Sequence, residues 1–185
     1  MRVIGGEFRS RRLKSIAGVA TRPTPDRLRE ALFNVLAPRI QGAQFLDLYA
    51  GTGAVGIEAL SRGAARCVFV EKSRHAAAVL NENLASLGLE ARARVILGNV
   101  ATALARLYGD IVFLDPPYEL DREYGLALGI LGAAPPPLVI AQHASRFRLK
   151  EDYGRLRRTR LLRQGDNSLS FFSEADDSEP PPGAP

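Results

Sequence analysis

Cysteine is almost absent from this chain: of 185 residues only Cys67 is one, so no internal disulfide can form and a reducing cytosol suits it. Histidine is nearly as scarce. His75 and His143 stand far apart and, with one thiol, supply no set of ligands at zinc spacing, so no metal is expected. Long apolar runs are missing as well. Although 46% of the residues are apolar, no run approaches the roughly 18 residues that a membrane span needs. The opening "MRVIGGEFRS" lacks the apolar centre of a secretion signal. These gaps exclude disulfide-stapled, zinc-held and membrane-spanning folds. They lead us to expect a cytoplasmic globular protein, monomeric, with one main domain.

Acid is the other local shortage. Residues 1–41 hold nine Lys and Arg against three acids, and residues 146–163 hold eight against two. The last twelve residues, "EADDSEPPPGAP", reverse this with four acids and no base. The net charge is +5, so the folded part is more basic than the total. Two basic segments at opposite ends of the chain point to a polyanionic partner.

What is present is an alternation. "VIGGEF" and "LK", around "RSRR", read as a small basic N-terminal hairpin, followed by a Gly/Pro/Thr loop through Arg22 to residue 24. Pro25 opens a helix at a favourable first-turn position and Pro38 is expected to end it. From Phe45 onward, strands at 45–49, 67–71, 93–97, 111–114 and 138–142 alternate with helices near 54–62, 74–87, 101–107 and 121–131. Such alternation implies βαβ units in a mainly parallel, Rossmann-like α/β sheet with helices on both faces. "GRLRRTRLL" and "SLSFFSE", joined by "RQGDN", add a C-terminal antiparallel hairpin. The expected organisation is a basic extension over 1–24, a catalytic domain over 25–173, and a disordered acidic tail over 174–185.

Two motifs carry chemistry. "LDLYAGTGAVG" puts Gly51, Gly53 and Gly56 between a strand and a helix, where glycine permits a tight turn and close backbone approach by a ligand. Glu71 ends the next strand, twenty residues on, where an acid accepts hydrogen bonds from ribose hydroxyls. That spacing also fits NAD. Asp47 favours S-adenosylmethionine (SAM) instead, because a carboxylate just before the turn can meet an ammonium group, whereas beside a pyrophosphate it gains nothing. The competing reading of Asp47 is a structural cap of the turn.

The second motif is Asp115-Pro116-Pro117-Tyr118, directly after an apolar strand. A nucleobase amine is a poor nucleophile, its lone pair being delocalised into the ring. Two fixed acceptors, the Asp115 carboxylate and the Pro116 carbonyl, can hold its two N–H groups and favour the geometry of attack. Proline stiffens the placement, and Tyr118 can stack on an extruded base.

Six segments in chain order, "RVIGGEFRSRRL", "TRPTPDRLREALFNVL", "FLDLYAGTGAVGIEALSRGA", "VFVEKS", "GNV" and "VFLDPPY", resemble the RsmD-type methyltransferases. The resemblance covers nearly the whole chain. It implies a class I methyltransferase fold and SAM-dependent methylation of a guanine N2 in 16S rRNA, in or near a small-subunit ribosomal particle. It implies SAM near Asp47, Gly51, Gly53 and Glu71, with Thr52, Lys72 and Val100 beside them and Asn99 of "GNV" toward the adenine. Asp115, Pro116, Pro117 and Tyr118 match the catalytic element; Arg9, Arg11, Arg12 and Arg22, with Tyr118, are the expected RNA contacts. Rival readings are N6-adenine methylation of DNA, which lacks room for a target-recognition domain, and a non-catalytic RNA-binding module.

Overall fold

Apolar runs too short for helices become strands, and the central ones are buried on both faces. The computed structural model describes residues 1–16, 26–117 and 121–175. Strands β1 (Gln44–Leu48), β2 (Arg66–Glu71), β3 (Ala93–Leu97), β4 (Ile111–Leu114) and β5 (Leu138–Ala144) pair in parallel in the order β3-β2-β1-β4-β5. Antiparallel strands β6 (Asp152–Tyr153), β7 (Leu156–Gln164) and β8 (Asn167–Glu174) extend the sheet in the order β5-β8-β7-β6. The Rossmann-like expectation and the C-terminal hairpin both hold; β6 was too short to read from sequence.

Side-chain alternation divides the core in two. Phe45, Cys67, Phe69, Ile111, Phe113 and Ile140 point to one face, under α1 (Asp26–Ile40), α2 (Ala54–Ser61) and α3 (Arg74–Ser86). Leu46, Leu48, Val70, Val112, Leu114 and Val139 point to the other, under α4 (Val100–Leu104) and α5 (Asp121–Ala133). Gly56 shows how tightly α2 lies on the sheet. A Cβ there would sit 2.2 Å from the Phe69 ring and 2.7 Å from Cys67 Sγ. The third glycine of the motif therefore serves helix–strand packing, not ligand contact.

Three expectations need correction. Pro38 does not end α1, which runs on to Ile40; proline costs the last turn a hydrogen bond, and burial of Leu36 and Ile40 holds it in place. At the N-terminus the hairpin shrinks to one antiparallel bridge, Arg2 to Arg12, and residues 5–10 form turns rather than a strand. The reason is the buried Glu58 of α2, which accepts hydrogen bonds from the amides of Ile4 (2.7 Å) and Gly5 (2.8 Å) and so draws the backbone out of ladder geometry. Gly6, at φ +77°, makes the turn, and Ser61 binds Phe8 N and Gly5 O. Glu58 also pairs with Arg62 (2.8 Å) and faces Arg29 (3.8 Å). Finally, Glu174 belongs to β8 and pairs with Arg155, so the strand passes the boundary expected at 174. Residues 176–185, like Arg22 and Tyr118, lie outside the described residues.

Gly56→Ala is expected to lower stability by about 1–3 kcal/mol, the usual cost of overpacking. Denaturant unfolding measures it, and Phe69→Leu in the same chain should recover part of the loss.

Candidate active site

After β1 the chain turns to α2 on one face, and after the adjacent β4 it turns to α5 on the other. This divergence opens a crevice at the carboxyl edge of the sheet, where ligands bind in open α/β folds. The glycine turn forms one wall and Asp115-Pro116-Pro117 begins the other.

The turn is strained at its first residue. Tyr49 has φ +64°, unusual for any side chain with a Cβ, and its hydroxyl donates to Glu123 of α5 at 2.6 Å. Gly51 (φ +56°) and Gly53 (φ +86°) complete it. A Cβ on Gly53 would strike Leu80 at 2.1 Å, whereas one on Gly51 would meet nothing within 4 Å. Gly51 thus presents open backbone to the crevice. The Thr52 carbonyl accepts from Asn83 Nδ2 (3.0 Å), and the same Asn83 binds Lys14 at both N and O (2.7 and 3.1 Å).

Of the expected cofactor residues, Glu71 reaches the turn directly: its two oxygens accept from Gly51 N (2.8 Å) and Ser73 N (2.7 Å). Asp47 lies beneath the turn, 2% exposed, and accepts from Gly56 N at 2.8 Å. Burial pushes its carboxyl well above the usual range; the Gly56 amide opposes this, and the charges of Asp115 and Glu71 add to it. Asn99 caps α4 through Oδ1 to Ala101 N (2.8 Å), which leaves its amide nitrogen as a donor. Val100 is buried behind it, and Lys72 is exposed at the end of β2.

Asp115 is the acid of the opposite wall. Burial raises its carboxyl to about 7. Its Oδ2 accepts from Gln142 Nε2 of β5 at 2.8 Å. Pro116 is buried and Pro117 exposed, so the motif spans the boundary between core and crevice. Asp47, Glu71 and Asp115 gather three carboxyl groups toward one end of the strands. The structure thus brings the turn, Glu71, Asn99 and Asp115 to a common edge, and leaves Asp47 one layer below.

Arg9, Arg11 and Arg12 are exposed on the face covered by α1, α2 and α3, with Arg9 and Arg12 lining clefts beside Asp26 of α1. Glu7 N donates to Ser61 O and Arg11 Nη2 to Ser86 O, the last residues of α2 and α3. Both helices start at the crevice and run away from it, by about 12 and 20 Å at 1.5 Å per residue. Sequence reasoning overlooked Tyr49, Asn83 and Gln142. A polar residue on an otherwise apolar helix face signals Asn83, and one inside "LVIAQHA" signals Gln142; nothing local marks the strain at Tyr49.

A family model described as conserved hypothetical protein 95 matches residues 1–173, and it is the model of the RsmD-type methyltransferases. This chain belongs to that family. A Bacillus subtilis family relative, YlbH, named as a candidate rRNA methyltransferase, is 35% identical over 183 residues, 94% of this chain and 99% of its own. Ribosomal RNA small subunit methyltransferase D of Escherichia coli K12 is 47% identical over 121 residues, which are 64% of this chain and 61% of that protein. The solved structure of Escherichia coli YhhF, a candidate methyltransferase, superposes with a TM-score of 0.80 at 35% identity, covering 94% of this chain and 97% of that one. Among the described residues no helix is long and apolar enough to cross a membrane, and no His, Cys, Asp and Glu side chains group as a metal site.

The raised Asp47 carboxyl has a consequence for stability. Its contribution is full below the unfolded value of about 3.9 and is lost as pH rises toward the higher folded value. Asp47→Asn keeps an acceptor for Gly56 N and cannot ionise. In the ligand-free protein it should be more stable than the parent at pH 7, with the difference shrinking toward pH 4, measured by thermal unfolding across pH.

Proposed function

We propose that this protein transfers a methyl group from SAM to the exocyclic N2 amine of a guanine in small-subunit rRNA. The observation that carries the reading is the placement of Asp115, half-buried and anchored through one oxygen, across a crevice from an open glycine turn. Membership of a family with members named rRNA methyltransferases supports the choice of RNA as acceptor.

The residues present fit SAM. Glu71 keeps lone pairs for ribose hydroxyls beyond its two backbone bonds, Asn99 keeps an amide donor at the adenine end, and Gly51 leaves room for the ligand's closest approach. Three carboxyl groups at one edge suit a ligand bearing ammonium and sulfonium charge. When bound, SAM supplies an electrophilic methyl group. Asp115 Oδ1 and the Pro116 carbonyl accept the two N–H groups of the guanine amine, and their fixed positions need little reorganisation as charge develops on nitrogen. A carboxyl whose ordinary range has been raised to about 7 can also take up the proton that the methylated amine releases.

RNA contact is assigned by charge left unneutralised. In the C-terminal hairpin, Arg155, Arg157 and Arg158 pair with Glu174, Asp152 and Glu151. Arg146, Arg148 and Arg163 are exposed, with no acidic partner among the described residues. β5 and β7 both flank the antiparallel β8, so both end at the crevice edge, and Ser145 N donates to Asp166 O across their tips (2.8 Å). These three arginines thus stand near the crevice edge, whereas Arg11 reaches the far end of α3.

Radiolabelled methyl transfer to small-subunit rRNA, naked and in particles, followed by nucleoside analysis, tests the activity. Asp115→Ala should abolish most transfer and leave SAM affinity unchanged. Glu71→Ala should weaken SAM about 10- to 100-fold by calorimetry, from the loss of a hydrogen bond to a charged group. Methylation at adenine, or SAM binding without transfer to any RNA, would overturn the assignment.

The arginine assignment is tested by salt. Replacing Arg146, Arg148 and Arg163 with alanine should flatten the log–log dependence of RNA affinity by about two to three units. The change from removing Arg9, Arg11 and Arg12 together should be smaller. Equal slopes for the C-terminal variant and its parent would remove those residues from the RNA surface.

A further inference from the structure

One buried side chain beside Asp115 has no part in the chemistry described so far. Gln142 is 1% exposed in the middle of the sheet, near the end of β5. Its Nε2 donates to Asp115 Oδ2 at 2.8 Å, and its backbone carbonyl accepts from the Tyr124 hydroxyl of α5 at 2.6 Å. Its side-chain oxygen, Oε1, is buried without a hydrogen-bond partner. An unpaired buried acceptor destabilises a fold, and leucine, of similar volume, would avoid it. Packing therefore does not account for glutamine at this position.

We infer that Gln142 is a positioning residue for methyl transfer: its amide N–H anchors Oδ2 of Asp115 so that Oδ1 is presented to the acceptor amine. The inference rests on the function proposed above. Pro116 restricts the backbone of Asp115 but leaves its carboxylate free to rotate. A side chain with two rotatable bonds can turn either oxygen away from the crevice, and one anchored oxygen removes that freedom. The anchor must also be neutral. Arginine or lysine there would form a salt bridge and make the acid a weaker acceptor, while glutamate would compete with it for charge. Glutamine supplies the donor without either effect.

Among the described residues no other charged group takes over this role. Asp115 and Glu71 act through space on Asp47 of β1, whereas the Asp115 carboxyl is raised by burial. Glu123 of α5 is engaged by Tyr49, and the Tyr124 hydroxyl by the Gln142 carbonyl. His143, next along β5, turns to the opposite face and meets Ser170 Oγ at 2.9 Å. Among the described residues, Gln142 is the side chain that hydrogen-bonds the Asp115 carboxylate.

The test compares the parent with Gln142→Leu, Gln142→Glu and Asp115→Asn. Carboxyl carbon NMR of the ligand-free proteins, with Asp115→Asn identifying the signal, follows the ionisation of Asp115. It should titrate near 7 in the parent and higher in Gln142→Leu, because the donor that favours the charged form is gone. Single-turnover methyl transfer to small-subunit rRNA across pH gives the second readout. Gln142→Leu should lose about 10- to 100-fold in rate with KM for SAM unchanged, and its acid limb should move upward with the NMR value. Gln142→Glu, able to donate a shared proton to Asp115 at neutral pH, should recover part of that rate and lose it in alkali. Gln142→Leu with the parent's titration and the parent's rate would overturn the inference. So would a rate loss in Gln142→Leu with an unmoved acid limb and no recovery in Gln142→Glu. If the parent itself methylates no RNA, the proposed function fails and the positioning role falls with it, while a shifted titration in Gln142→Leu would still establish the hydrogen bond.

Discussion

The parallel pairing of β1 with β4 is the constraint on which the rest of the molecule depends. Register sets Leu48 beside Leu114, so the two strands finish at the same level. The glycine turn and Asp115 leave the sheet from adjacent points, and the chain then departs to opposite faces. Neither motif could form a site alone. A one-residue slip would exchange the faces of every side chain in β4, sending Phe113 toward α5 and Leu114 toward α1. The packing that fixes the core therefore also fixes the distance between the two walls of the crevice.

Electrostatics follows from that arrangement. Three carboxyl groups approach one another at this edge, and desolvation disfavours the ionisation of Asp47 and Asp115. Each is held by neutral donors: backbone amides for Asp47 and Glu71, a side-chain amide for Asp115. Backbone and amide dipoles moderate the charge without cancelling it. The edge keeps its attraction for a cation and its capacity to hold a proton. Full neutralisation by lysine or arginine would have removed both.

Much of this was legible in the sequence, for identifiable reasons. β3 and β4 were read with the observed ends because their apolar runs stop at glycine, proline or charge, and backbone chemistry enforces such stops. The glycine turn and Asp-Pro-Pro were legible because both need particular residues in a row. What escaped depends on contacts distant in sequence. Nothing local in the sequence marks Glu58, yet two amides of the N-terminal segment converge on it and the hairpin there is cut to a single bridge. Gln142 is 27 residues from Asp115, and only the β4–β5 register brings them together. Pro38 was a sound stop signal that burial of Ile40 overrode.

The attachment of the N-terminal segment bears on how the chain matures as it is made. Ile4 docks 54 residues downstream on Glu58, and Lys14 docks 69 residues downstream on Asn83. On a ribosome, this stretch cannot settle until α2 and α3 have been synthesised and have packed. Until then its basic residues stay untethered, in the presence of abundant polyanion. Glu58 and Asn83 thus act as a late latch, and closure of that latch marks the point at which the glycine turn, held by Asn83 through Thr52, acquires its final support.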